Sequence, residues 1–288
     1  MIKNISNFEL LDNTSLIFMT YKNVIMVTVF LITAVNSAFT QFYGLSNYYT
    51  VRHTIGDSYL DDVSFLNPSS YPSSYNMINV GVKPGRFGMS ELNSLHAFAV
   101  ISIDSTWSLG LNISGIGGEL YNEFSPEIGI RWNVNENINI GASGEFNRVT
   151  VKNYNSYNIP TFNLGGIVKL TNELNAGMYI RNLLRNYSGD IDKTVYQEGS
   201  FGLSYSADED LTINADAVVV INSFNSFNVG IKYDFDENFT SRLAVSTNPG
   251  VVNLGVLCKV SDAFSFVLSM DYDITLGITP EIALIYRI

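Results

Sequence analysis

The feature that most constrains this chain is an alternation of apolar and polar residues with a period of two, renewed in one hairpin after another from Met77 to Ile288. In the stretch EIGIRWNVNENINIGASGEF, Ile128, Ile130, Trp132 and Val134 alternate with Gly129, Arg131 and Asn133. The polar turn Asn135-Glu136-Asn137 reverses the chain, and Ile138, Ile140, Ala142 and Phe146 then oppose Asn139, Gly141, Ser143 and Glu145. A period of two is that of a β-strand with one apolar and one polar face. The same reading predicts about fourteen strands, near 76–83, 93–104, 106–116, 124–134, 138–152, 158–170, 174–185, 196–207, 211–222, 225–235, 239–247, 251–260, 264–274 and 277–288. Short polar turns at Asp104-Ser105, Asn135-Glu136-Asn137, Thr171-Asn172-Glu173, Asp208-Glu209-Asp210, Asp236-Glu237-Asn238 and Ser261-Asp262-Ala263 alternate with longer links near 117–123, 152–158 and 185–196. Short turns on one side and longer loops on the other are the habit of an up-and-down transmembrane barrel.

A two-faced strand pattern also suits a soluble sandwich whose apolar faces meet. Three further features point to the barrel. The face bearing Trp107, Leu109, Leu111 and Ile113, then Ile213, Ala215, Ala217 and Val219, then Phe264, Phe266, Leu268, Met270, Tyr272 and Ile274, is free of charge. Charged residues are only 15% of the chain and gather in turns and on the other face. Aromatics stand near strand ends, at Trp107, Trp132, Phe235, Phe264 and Tyr286, where interfacial girdles sit. The expected fold is all-β: a transmembrane, up-and-down, antiparallel barrel of about fourteen strands over 76–288.

The N-terminal part reads differently. Residues 1–18 look like an upstream extension before Met19. Lys22, the apolar run Val24 to Val35 and the small residues Ser37 and Ala38 then make a secretory signal peptide within 1–40, too short to span a bilayer. Residues 41–75 lack alternation. They are expected to be irregular, with one short helix near Ser58 to Leu66 and a turn at Asn67-Pro68. Export without a helical anchor leaves three options, soluble periplasmic, secreted or outer membrane; the barrel reading makes the outer membrane the expected location, with outer-membrane lipid as the first partner.

With lipid on the apolar side, alternation sends Glu127, Arg131, Glu145, Arg181, Asp216, Lys232, Lys259, Asp271, Asp273, Glu281 and Arg287 toward a lumen. Both signs occur, which fits cross-strand pairs better than a selectivity ring of one sign. Other chemistries find little support. A net charge of −11, from 27 acids and 16 bases, cannot build a phosphate-neutralising surface, so no nucleic-acid partner is expected. The single cysteine, Cys258, excludes an internal disulfide and a multi-Cys zinc site. The two histidines are His53, beside Asp57 in the irregular section, and His96, in a strand whose Ala97 and Ala99 share the opposite face. Neither lies in a nucleophile motif, and no serine stands two residues after His96, where position 98 is Phe. No enzyme activity, cofactor or metal is expected.

The run Asp61-Asp62-Val63-Ser64-Phe65-Leu66-Asn67-Pro68-Ser69 resembles the Asp-x-Ser-x-x-x-Asn-Pro-Ala motif near the N-terminus of the FadL-like long-chain fatty acid transporter superfamily and its PorV and PorQ relatives. The segment LNAGMYIRN, Leu174 to Asn182, is similar to the Leu-x-x-Gly-x-x-x-x-Asn strand of those barrels. Ser69 replaces the usual Ala, and of the Gly-rich lead-in only Gly56 remains. The resemblance implies a fourteen-stranded barrel from a lineage such as Bacteroidetes. It also implies a plug section in the lumen, held through Asp61, Asp62, Ser64, Asn67 and Pro68. Two functions follow from it: passage of small hydrophobic ligands across the outer membrane, or docking of type IX secretion-system proteins.

Overall fold

The computed structural model describes residues 66–154, 156–183, 197–221 and 225–288. Fourteen antiparallel strands run in chain order: β1 (Met77–Lys83), β2 (Asn93–Ser102), β3 (Trp107–Gly117), β4 (Tyr121–Asn135), β5 (Ile138–Val151), β6 (Tyr157–Lys169), β7 (Leu174–Arg181), β8 (Glu198–Ser206), β9 (Leu211–Val220), β10 (Asn225–Asp236), β11 (Phe239–Thr247), β12 (Gly250–Lys259), β13 (Phe264–Asp273) and β14 (Gly277–Arg287). Each pairs with its sequence neighbours, and β1 pairs with β14 from Met77↔Arg287 to Val82↔Ile282, closing the barrel. Closure leaves no open sheet edge, which is what a β structure in hydrocarbon requires. All fourteen expected strands are present.

The faces fall as alternation predicts. Ile128, Ile130, Trp132, Leu111, Ile113, Val219, Phe266, Leu268 and Ile282 point outward and are exposed, whereas Arg131, Arg181, Asp216, Lys232, Asp271 and Glu281 point inward and are buried. An apolar belt on the outside of a closed barrel is a surface that water does not tolerate and lipid does. The molecule is therefore a transmembrane barrel of the outer-membrane type.

The short-turn end is built from one repeated device, a side-chain oxygen that caps the turn and accepts from a backbone N–H two or three residues on. Asp104 Oδ1 accepts from Thr106 and Trp107, Asn135 Oδ1 from Asn137, Thr171 Oγ1 from Glu173 and Leu174, Asp208 Oδ1 from Asp210 and Leu211, Asp236 Oδ1 from Asn238, and Ser261 Oγ from Phe264. Register shifts at Asn133/Asn135 and Asp234/Asp236 let β4 and β10 turn within two residues. The expected aromatics all collect at this end. Trp107 stacks on Trp132 at 5.7 Å, Phe264 meets Tyr286 at 4.7 Å, and Phe235 lies 4.8 Å from Tyr233 and 5.4 Å from Phe239. They form an interfacial girdle of the kind that fixes a barrel's depth in the bilayer.

Two features depart from the sequence reading. β7 stops at Arg181 rather than near 185, because Asn182 takes the left-handed conformation (φ 56°), which asparagine tolerates better than most residues. Past that point Asn182 N–H donates to the side chain of Asn163 (3.0 Å) and Leu183 N–H to the Phe162 carbonyl (2.8 Å), so β6 and β7 part company. At the opposite end from the short turns, the β1–β2 connection folds back on β14. Phe87 N–H donates to Thr279 Oγ1 at 3.0 Å, and Arg86 is buried. The expected signal peptide, the helix near Ser58, and His53 and Asp57 lie outside the described residues.

Candidate functional site

The inner wall carries a track of glycines. Gly110 faces Gly129 across β3–β4, and Gly141 faces Gly165 across β5–β6. Residues 66–75 lie along it. A side chain at Gly141 would overlap Pro68 and the Ser69 backbone, one at Gly165 would overlap Asn67 Oδ1, one at Gly110 would overlap the Tyr71 ring, and one at Gly129 would come within 2.6 Å of the Tyr71 hydroxyl. The glycines are there because a second backbone comes too close for a Cβ.

Sequence chemistry shapes the segment that uses this track. Asn67 caps a single 3-10 turn, Pro68–Ser70, in which proline's fixed φ suits the first position. Its fully buried side chain accepts from Ser69 N–H (3.1 Å) and Ser69 Oγ–H (2.6 Å) and donates to the Met178 carbonyl (3.3 Å). Ser69, where the resembled motif has Ala, thus adds a second donor to Asn67. Farther along, Ser108 Oγ–H donates to the Pro72 carbonyl and Ser102 Oγ–H to the Ser73 carbonyl, both at 2.6 Å. Of the residues expected to hold a plug, Asn67 and Pro68 are at the inner wall, while Asp61, Asp62 and Ser64 lie outside the described residues.

Beneath this segment the lumen is apolar. Tyr71, Met77, Phe98, Val100, Leu257, Val267, Ala283 and Ile285 form one buried cluster, with Tyr75 against it and the Tyr71 and Phe98 rings 5.4 Å apart.

The inward charges mostly find partners. Glu127 and Glu145 stand opposite each other across β4–β5. Arg181 grips both oxygens of Glu145 (2.9 Å each), and Asn112 Nδ2 reaches Glu127 at 3.4 Å. Across the lumen wall, Lys83 bridges Asp271 (3.0 Å) and Glu281 (3.3 Å), Asn253 donates to Asp271 at 2.7 Å, Ser269 donates to Glu281 at 2.9 Å, and His96 lies 3.8 Å from Glu281. Arg131 donates to Asn139 (2.8 Å), Lys232 lies 3.8 Å from Asp234, Lys259 pairs with Asp262 at the rim (3.2 Å), and Arg287 reaches Ser265 at 3.4 Å. Asp216 and Asp273 are buried, and Asp273 Oδ1 caps the β13–β14 turn through Thr275 and Leu276. Arg181 with Glu145 and Lys83 with Asp271 and Glu281 bring opposite signs together on the inner wall, whereas Glu127 and Glu145 set like signs opposite each other. Among the described residues no cluster of three or more His, Cys, Asp or Glu is arranged to hold a metal ion.

Sequence reasoning missed Lys83, Glu123, Glu198 and Arg242, all buried and inward, and Arg86, buried in the β1–β2 connection. The signal for Lys83 was present: Met77, Asn79, Gly81 and Lys83 share one parity in β1, with Asn79 marking the wet face. It also missed the apolar inward residues Phe98, Val100, Ile116, Val149, Ile159, Val218 and Val220.

No family model and no curated protein matches this sequence. Solved structures do match the fold. A Pseudomonas aeruginosa FadL homologue is 12% identical, with 83% of this chain and 98% of that one covered, at a TM-score of 0.55. The Ralstonia pickettii toluene transporter TbuX is 9% identical, with 86% and 98% covered, at a TM-score of 0.56. The P. putida toluene transporter TodX is 11% identical, with 87% and 98% covered, at a TM-score of 0.56. The chain thus has a closed fourteen-strand barrel of the FadL-like fold.

Proposed function

We propose that this barrel passes small hydrophobic molecules across the outer membrane, with the segment around Asn67-Pro68 acting as a plug in the lumen. The observation that carries the reading is the buried apolar cluster of Tyr71, Phe98, Val100, Leu257, Val267 and Ile285 where the segment meets the wall. These aromatic and aliphatic side chains pack on the plug segment, so displacing that segment would expose an apolar wall, which a wet lumen built for polar solutes does not favour. A second apolar group, Ile116, Val149, Ile159, Val218, Val220 and Val251, is buried on the inner face toward the other end. The fold shared with two toluene transporters and a monoaromatic hydrocarbon channel supports this reading.

The test is uptake of radiolabelled toluene and decanoate, against maltose, by cells that lack hydrocarbon channels of their own and express this barrel. Toluene or decanoate entry should rise several-fold over empty-vector cells, with maltose unchanged. Phe98→Arg should abolish the gain while heat-modifiable migration stays normal. Equal uptake with and without the barrel, or a gain for maltose alone, overturns the reading.

A further inference from the structure

The outward face of the barrel has one charge that does not belong in lipid. Among the described residues, leaving aside the last two positions of each strand, Arg148 on β5 is the single charged side chain on the outward face. It is exposed, and it forms no ion pair or side-chain hydrogen bond with any described residue. A cation on that face is costly at the bilayer midplane and tolerated near an interface. Arg148 satisfies that condition: it lies close to the Val151 end of β5, at the side of the barrel opposite the short turns. Long-loop ends of such barrels face outward from the cell, so Arg148 stands at headgroup level of the outer leaflet.

Beside it the wall is notched. The cross-strand row through Arg148 reads Val82, Leu95, Gly115, Phe124, Arg148, Asn158, with each residue opposite the next. Gly115 has no side chain between Leu95 and Phe124. The gap opens into a groove of about 500 Å³ with Val82, Leu95, Ile113 and Phe124 as its apolar walls and Asn93 and Asn122 at its loop end, where it also reaches Lys83 and Ser94. That volume lies within the range of roughly 300–1,000 Å³ typical of small-ligand sites. Adjacent strands are about 4.8 Å apart, so the guanidinium is rooted roughly 10 Å from the notch. An apolar slot and an unpaired cation two strands away, both at the outer interface, match the two halves of one amphiphile.

We propose that this wall binds a phosphate-bearing acylated lipid of the outer leaflet, with one acyl chain in the groove over Gly115 and the phosphate on Arg148. The planar guanidinium fork is suited to a phosphate in a way that a lysine ammonium is not. Arg148 and the apolar walls of the groove are on the outward face, so the proposal does not depend on what the barrel carries.

Native mass spectrometry of the purified barrel, released from detergent with dimyristoyl phosphatidic acid or dimyristoyl phosphatidylcholine, reads the site directly. The wild type should keep one phosphatidic acid per barrel at activation energies that strip the phosphatidylcholine. Arg148→Gln should lower the retained fraction at least fivefold, with Arg148→Lys in between. Gly115→Val, which fills the notch, should lower it for dimyristoyl but not for dibutyryl phosphatidic acid. Lys152→Gln removes an exposed charge already paired with Glu119, and should change nothing. Equal loss in Arg148→Gln and Lys152→Gln means attraction by net charge alone and overturns the site. So does retention unaffected by Arg148→Gln, or a barrel dimer that buries the groove and excludes lipid.

Discussion

Replacing Gly165 by alanine is the sharpest probe of how the inner segment is held. The added methyl would overlap Asn67 Oδ1 and sit 2.9 Å from Asn67 Cγ and 3.3 Å from Ser69 Oγ, so the Asn67 amide must leave. Overpacking of this kind costs about 1–3 kcal/mol. The displaced amide also gives up its bonds to Ser69 N, Ser69 Oγ and the Met178 carbonyl, each worth roughly 0.5–1.5 kcal/mol net. The combined penalty is on the order of 3–6 kcal/mol against docking of residues 66–75. It falls on the docked segment and leaves the strand ladders alone. The matching control is Gly144→Ala on the outward face of the neighbouring strand, where a Cβ meets nothing within 4 Å. Conductance in planar bilayers and trypsin access to the N-terminal section are the readouts. Gly165→Ala should raise both, with heat-modifiable migration unchanged, and Gly144→Ala should match the wild type. If Gly165→Ala behaves like its control, the glycine track does not hold the segment, and the plug loses its anchor.

Leu111→Arg should impair membrane assembly, at roughly 2–4 kcal/mol for a midplane charge, while Asn112→Arg, one residue on and facing the lumen, should assemble; equal damage from both in a folding assay would mean that neither face meets lipid. Glu145→Gln strips Arg181 of its carboxylate with both side chains buried, and should lower stability in urea titrations by about 3 kcal/mol, with Glu145→Gln/Arg181→Met recovering part of the loss. Deleting residues 57–74 should leave a folded barrel and increase conductance to small polar solutes, since a fourteen-strand barrel is wide enough for an aqueous path unless something fills it; an unchanged low conductance would put the block in the inward charges themselves.

The strands and their faces were legible because lipid and lumen each impose one chemistry on alternate residues, so a parity fixed at Ile128 or Phe266 propagates along the whole strand. The turns were legible because Asp104, Asp208 and Asp236 do their work within three residues. What the inner glycines carry was not legible. Gly110, Gly129 and Gly141 sat on the polar face of the reading like any small lumen residue, and their partners come from Asn67 to Tyr71, far away in sequence. The inward Phe98 and Val100 escaped for the same reason. Alternation separates lipid from everything else, but it cannot separate water from another piece of protein. Asn67-Pro68 was picked out by resemblance, and the contacts that give it meaning are all long-range.

The seam between β1 and β14 sets an order of events. Every other strand pair joins sequence neighbours, while this one ties Met77 to Arg287 across about 210 residues, an ordering entropy on the order of 5 kcal/mol. Hairpins can therefore accumulate before the cylinder shuts. The chain entering β1 is the same stretch that rests on the glycine track, with Asn76 exchanging backbone bonds with Ile288. Residues 66–75 are thus tethered to the strand that closes the ring, so the seam that shuts the barrel and the segment that rests on the glycine track are adjacent in the chain. A slip of register at the β1–β14 seam would shift the root of that segment with it, and move Tyr71 and Asn67 off Gly110 and Gly165.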